Sequence, residues 1–169
     1  ALLVFPYIQL LPVFARDVLR LGADGLGILM SAGGVGAVVG SLAIAAVQNL
    51  RRKGMFILGA TVVYSLVIIA FAYTTWLPLT VLLLVLGGLL GSAYMAMNNT
   101  LLQLNVTDDV RGRVMSIYML TWGLAPLGAL PMGVLGDYLS MPHALAIGSA
   151  VTLLTTVALG VRIPALRRL

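Results

Sequence analysis

Long apolar runs alternate with short polar breaks along the whole chain. The runs cover about residues 1–19, 24–48, 55–73, 77–104, 114–137 and 144–161, and the segments RLGAD, NLRRKG, TTW, NVTDDVRGR and YLSMPH separate them. A bilayer core asks for about 20 consecutive apolar residues per helix. Each break carries charge, Gly, Pro or other turn formers, as a connection between helices requires. The pattern predicts an all-α polytopic membrane protein with six transmembrane helices.

Small residues recur at helical spacing inside these runs. The second run carries Ala32, Gly36 and Gly40 beside Gly33, Ala37 and Ser41. The fourth carries Gly87 and Gly91 beside Gly88, Ser92 and Ala96. The fifth has Ala125, Ala129 and Gly133, and the sixth has Ala144, Gly148, Thr152, Thr156 and Gly160. Between helices in lipid there is little hydrophobic driving force, so close approach through small residues holds the bundle together. These rows read as packing seams, smooth enough to let helices rock. Pro6 and Pro12 in the first run, and Pro126 and Pro131 in the fifth, free backbone carbonyls and predict bends.

Composition fixes the solvent. Hydrophobic residues make up 61% of the 169, charged residues only 9%, and the mean hydropathy is +1.10. A soluble domain carries about a quarter charged residues, so a water-facing surface cannot be built from this chain. The net charge of +5 sits in short clusters, with no aromatic–basic surface for a strand, and nucleic acid is not an expected partner. The absence of cysteine excludes disulfides and thiolate metal sites. The N-terminus, ALLVFPYIQLLPVF, has no starting Met, no basic region and no small-residue cleavage site. It opens inside an apolar run, and the chain is expected to be part of a longer protein.

Lysine and arginine set the expected orientation. Arg51, Arg52 and Lys53 follow the second run, Arg111 and Arg113 follow the fourth, and Arg162, Arg167 and Arg168 follow the sixth. With six alternating spans these eight of the ten basic residues fall on one face, against Arg16 and Arg20 on the other. The C-terminus is therefore expected in the cytoplasm, and any upstream segment joins from the same side.

Little chemistry is visible inside the spans. Every charged residue falls in a break or at a span end, and there is no Glu. Intramembrane ionisable groups carry protons and ions, so no proton relay is expected from this segment. Nucleophilic catalysis lacks a central base, a metal site lacks clustered ligands, and no glycine loop with Lys cradles a phosphate. His143, the single histidine, reads as an interfacial residue on the outer side. No enzyme, cofactor or metal is expected.

Neutral polar groups remain. Gln9 lies mid-span in the first run. Tyr94, Asn98 and Asn105 share one face of the fourth, with Asn99 and Gln103 on a neighbouring stripe. An amide in lipid costs free energy unless it finds a partner or water. The Tyr94–Asn98 face must then serve either interhelical hydrogen bonding or a cavity that touches a solute. Met95 and Met97 suit a broad apolar solute or act as filler.

Three blocks carry a resemblance. LLPVFARDVLRLGADGLGILMSAGGVGAVVGSL resembles the start of the C-terminal half of major facilitator superfamily transporters. NNTLLQLNVTDDVRGRVMSIYML and GLAPLGALPMGVLGDYL resemble the tenth and eleventh helices of the branch with the enterobactin exporter and macrolide efflux proteins, the transmembrane secretion effectors. The likeness covers essentially the whole chain as helices seven to twelve. It implies one six-helix half, a 3+3 inverted repeat, with the solute pathway lying between two halves near the midplane. The first and fourth spans are then expected to line the pathway through Gln9, Tyr94, Met95, Asn98 and Asn105. The second and fifth are expected to meet the missing N-terminal half, and the third and sixth to face lipid.

The likeness also implies conformational-switch loops. Arg51, Arg52 and Lys53 match the basic part of one signature, but Gln48 or Asn49 stands where the family carries Asp. Asp108, Asp109, Arg111, Gly112 and Arg113 match the other loop. Asp109 is expected to pair with the Arg51–Lys53 loop in the outward-open state. The expected function is secondary-active transport of a small molecule by alternating access in a bacterial inner membrane. Efflux of a drug- or siderophore-like solute coupled to protons is what the branch implies, with the coupling carboxylates outside this segment. An uptake permease and a non-transporting scaffold of the same fold are the alternatives.

Overall fold

In the computed structural model, which describes residues 7–46 and 53–162, seven helical segments follow one another: α1 Tyr7–Asp17, α2 Ala23–Ala46, α3 Lys53–Tyr73, α4 Leu77–Asn105, α5 Asp108–Gly123, α6 Ala125–Leu139 and α7 Met141–Arg162. Among the described residues there is no strand. Five stretches are long and apolar enough to cross a bilayer: Ala23–Ala46, Gly54–Tyr73, Leu77–Leu104, Asp108–Leu139 and Met141–Arg162. Of the first run, α1 contributes 11 described residues. The chain is an integral membrane protein, and large exposed side chains such as Leu66 and Leu154 are the surface that lipid requires.

The fifth run starts earlier than the expected bounds, and a break falls within it. Helix starts at Asp108 rather than near Val114, so Arg111 and Arg113 stand on helical turns and not in a loop. Asp108 and Asp109 occupy the first turn, where carboxylates complement the helix dipole and favour early initiation. The helix is then interrupted at Leu124, directly before Ala125 and Pro126 open α6. Pro126 lacks the amide that would continue the ladder, and it fits best in a first turn. Pro131 lies inside α6, as Pro12 lies inside α1.

Two of the described connections are tight turns closed by backbone hydrogen bonds. After α1 the chain turns through Arg20 in the left-handed region, and the Leu21 amide donates to the Ala15 carbonyl at 2.9 Å. Between α6 and α7, Ser140 adopts φ 96°, ψ 150°, and its amide donates to Gly136 O at 2.9 Å. In lipid every polar group needs a partner, and several helix hydroxyls find theirs on the preceding turn. Thr61 donates to Ile57 O at 2.8 Å, Ser65 to Thr61 O at 2.9 Å, and Thr152 to Gly148 O at 3.0 Å.

The core forms around α1. Tyr7, Leu11 and Phe14 pack with Tyr64, Ile68 and Phe71 of α3, Leu29 of α2, Leu84 of α4, Met132 of α6 and Leu145 of α7. The Phe14 and Phe71 rings lie 4.5 Å apart between centroids. α2 packs along α4, α3 lies against α4 and α7, and α6 lies against α7.

The α2–α4 pair is the closest seam. A Cβ on Gly36 would press into the Val85 carbonyl, one on Gly40 into Leu89 O and the Ser92 hydroxyl, and one on Gly88 into Gly33 O. These backbones touch. The small rows of the second span were expected at the interface with another half, and in part they are committed to α4 instead. Gly160 of α7 meets only the Leu58 side chain, at 3.4 Å, and Gly133 of α6 has nothing within 4 Å.

Candidate functional site

A cavity of about 320 Å³ opens where α1, α2, α3 and α4 converge. Its walls come from Tyr7, Ile8 and Leu11 of α1, from Leu29 to Ala37 on α2, from Tyr64, and from Leu84 to Met95 on α4. These positions sit near the middle of α2, α3 and α4, which places the cavity near the mid-height of the spans. The sequence explains its form. Gly33, Gly34, Gly87, Gly88 and Gly91 supply no side chain where two helices cross, so the backbones leave a smooth wall. The exposed side chains Ile8, Met30 and Met95 stand at its rim.

The lining is carbon almost throughout, with three hydroxyl side chains. Tyr7 and Tyr64 are hydrogen-bonded to each other, and their rings meet edge-on with centroids 6.3 Å apart at 71°. Ser92 is the third, and its hydroxyl donates to Leu89 O at 3.1 Å. No group of three or more His, Cys, Asp or Glu that could hold a metal occurs among the described residues. An apolar wall with one polar pair can sequester and orient a lipophilic molecule, and it offers nothing to break a bond with.

The residues expected from sequence divide. Met95 lines the cavity. Tyr94 and Asn98 are half-buried and do not line it, yet they continue its wall. Positions 87, 91, 94, 98 and 105 are spaced by three, four or seven residues, so Gly87, Gly91, Tyr94, Asn98 and Asn105 fall on one face of α4. Tyr118 of α5 is an electrostatic neighbour of Tyr94. Asn99 accepts a hydrogen bond from Gln103 at 2.9 Å on the adjacent stripe, an intrahelical pairing. The structure does not bring Gln9 to this cavity. Gln9 is exposed with Pro12 and Arg16, opposite the face that buries Tyr7, Leu11 and Phe14.

At the switch segments, Arg111 pairs with Asp108 at 2.5 Å, one turn away on its own helix. The Asp109 carboxylate is held by the Thr107 hydroxyl and by backbone. Arg51 and Arg52 lie outside the described residues, as do the side chains of Lys53 and Asn105. His143 shares a 2.8 Å hydrogen bond with the Ser140 hydroxyl and meets the Tyr73 ring edge-on at 5.8 Å.

Tyr7 and Tyr64 were missed by the sequence reading, which looked for amides and charges. A signal existed: Tyr64 is a phenol at the middle of a long and mostly aliphatic run. A second recess, about 720 Å³, lies across α2 and α4 beside Asp24, Ser31 and Val81, toward the start of α2. It is more open and borders the span end, so it holds a solute less well.

Known proteins agree with the fold. The family model described as transmembrane secretion effector matches residues 3–168. The staphyloferrin A transporter of Staphylococcus aureus is 28% identical over 161 residues, covering 90% of this chain and 38% of that protein. The multidrug efflux pump Tap of Mycobacterium tuberculosis is 31% identical over 137 residues, covering 79% of this chain and 32% of the pump. The chain thus spans about a third of the length of these relatives, and no solved structure matches it. Those relatives are transporters, and the spans are those of a bilayer protein. This chain therefore belongs to the transmembrane secretion effectors of the major facilitator superfamily.

Proposed function

We propose that the chain is the C-terminal six-helix half of an exporter that moves a lipophilic small molecule by alternating access. The supporting observation is the mid-height cavity, apolar apart from the Tyr7–Tyr64 pair and Ser92. Such a lining favours an apolar solute, neutral or with one delocalised charge that the tyrosine rings can face, over one with localised charge, which would be desolvated there without a partner. The face Tyr94–Asn98–Asn105 extends the path from the cavity along α4, and Gln9 serves it only where a second half closes over α1. α2 and α6 present their exposed faces, with Val35, Val38, Leu127 and Leu130, to that half.

Proton entry supplies the driving force in this reading. Among the described residues no carboxylate lines the cavity, so the coupling carboxylates belong to the other half. The basic clusters at Arg51–Lys53, Arg111–Arg113 and the C-terminal tail support a cytoplasmic side for these ends, in a bacterial inner membrane. Asp109 lies at the same end and biases the two states through a pair with the Arg51–Lys53 loop.

Reconstituted full-length protein tests the reading. In proteoliposomes carrying a pH gradient, ethidium accumulation should require the protein and collapse with a protonophore. Flux only in the inward direction makes the protein an uptake permease. Folded, inserted protein with no flux of any solute makes it a scaffold.

A further inference from the structure

The glycines of this half fall into two groups by what a side chain would meet. Gly36, Gly40 and Gly88 touch backbone across the α2–α4 seam, and their size is dictated by packing. Gly34, Gly87 and Gly91 are different. A Cβ on Gly34 meets nothing within 4 Å. One on Gly87 finds only the Ile68 methyl at 3.7 Å and the Tyr7 hydroxyl at 3.8 Å. One on Gly91 finds the Tyr64 ring at 3.5 Å. Those are ordinary contacts, so helix packing accepts alanine at all three positions. All three line the cavity. Their lack of side chains keeps space open rather than bringing helices together.

We propose that Gly34, Gly87 and Gly91 are specificity-determining residues. They hold open a flat-walled slot for a planar, fused-ring apolar group, with the Tyr7–Tyr64 phenol pair at its floor to bind one hydroxyl or carbonyl. This deepens the transport reading by naming the class of solute, and it rests on that reading for its role in export. Three features point to a ring system rather than a lipid tail. Two of the wall-forming glycines lie one helical turn apart on α4, giving a surface without knobs, which a ring face covers and a flexible chain does not. The floor carries phenols, which both donate and accept hydrogen bonds, whereas an acyl chain has no group to meet them. The volume of about 320 Å³ holds a few fused rings and is at the small end of ligand pockets, which run from about 300 to 1,000 Å³.

The test uses full-length protein in lipid nanodiscs, with protein-free discs subtracted. Equilibrium binding of phenol, 1-naphthol, naphthalene and 1-hydroxypyrene is measured by fluorescence. One added methyl in a fitted pocket discriminates by about 10- to 200-fold. Gly91→Ala should therefore weaken 1-hydroxypyrene at least tenfold and leave phenol within twofold. Gly34→Leu should do the same at the mouth of the slot. Gly59→Leu, at a position that meets nothing within 4 Å and lies outside the cavity, should change neither. Tyr7→Phe should erase the preference for 1-naphthol over naphthalene while retaining both rings. Thermal unfolding of each variant separates a filled slot from a damaged fold, and Gly87→Ala provides a second substitution if Gly91→Ala unfolds.

Equal weakening of all ring sizes by the glycine variants, or no preference of the wild type for fused rings, overturns the proposal. The flux assay keeps the two readings apart. Ethidium flux with no ring-size dependence removes the slot and leaves the exporter. Ring-size dependence with no flux removes the exporter and leaves the slot.

Discussion

Substituting Gly36 by alanine measures the α2–α4 contact directly. The added Cβ would sit 2.8 Å from the Val85 carbonyl carbon and 2.9 Å from its Cα, and deeper still against the carbonyl oxygen. Ordinary contact begins near 3.4 Å, so α2 and α4 must part by more than 0.6 Å, the difference between 3.4 and 2.8 for the carbonyl carbon, because the oxygen lies closer still. These are backbone atoms of a hydrogen-bonded helix and cannot rotate away. A gap of about 0.5–1 Å forfeits a quarter to a half of each dispersion contact along the seam, and overpacking costs about 1–3 kcal/mol in well-packed interiors. Alanine otherwise gains about 0.5–1 kcal/mol over glycine in a helix. Gly59→Ala on α3, with nothing within 4 Å, isolates that gain. We expect Gly36→Ala to destabilise by about 2 kcal/mol and Gly59→Ala to be neutral or slightly stabilising. The assay is reversible denaturation of full-length protein in mixed micelles, followed by far-ultraviolet circular dichroism and tyrosine fluorescence. Adding Gly88→Ala to Gly36→Ala should cost less than its separate effect, because the helices have already moved apart. Equal stability of Gly36→Ala and Gly59→Ala would refute the reasoning, since the two differ only in what the methyl group touches.

Other outcomes follow from single features. Ser140 holds φ 96°, ψ 150°, a region essentially reserved for glycine and costing other residues about 1–3 kcal/mol. Ser140→Gly should raise stability by about 1 kcal/mol in the same denaturation assay, the loss of the His143 hydrogen bond offsetting part of the relief. Asn98→Ala removes one amide from the face that continues the cavity, and a hydrogen bond is worth about 1 kcal/mol net. Ethidium flux should fall about fivefold with unfolding unchanged; unaltered flux would place Asn98 off the path. Asp109→Arg reverses one exposed charge, where an ion pair is worth at most about 1 kcal/mol, so the balance of inward- and outward-facing states should shift up to about fivefold. Labelling of cysteines introduced at either end reads that balance, and no shift would remove Asp109 from the switch.

The bilayer, the apolar runs and the small-residue rows were legible without coordinates. Hydropathy reports the solvent of a segment, and a period of 3.6 residues reports which positions share a face. What a face meets depends on neighbours distant in sequence, and periodicity is silent about them. The row Ala32–Gly36–Gly40 therefore reads the same whether it faces α4 or another half, and only the fold assigns it to α4. Gly88 and Gly91 lie three residues apart, but one is pinned by the Gly33 carbonyl and the other meets only the Tyr64 ring, at ordinary contact distance. Gln9 has the composition of a pathway residue, yet α1 turns its opposite face to the core, because burying Tyr7, Leu11 and Phe14 outweighs placing one amide. The proline pair marked a bend in the fifth span, and the structure added its place, Leu124, where Pro126 removes the next amide from the ladder. Sequence determined that this protein lives in lipid and which residues share a helix face. The tertiary structure decided which of those faces are spent on packing and which enclose a cavity, because only the crossing of α2 and α4 sets where backbone meets backbone and where it leaves room.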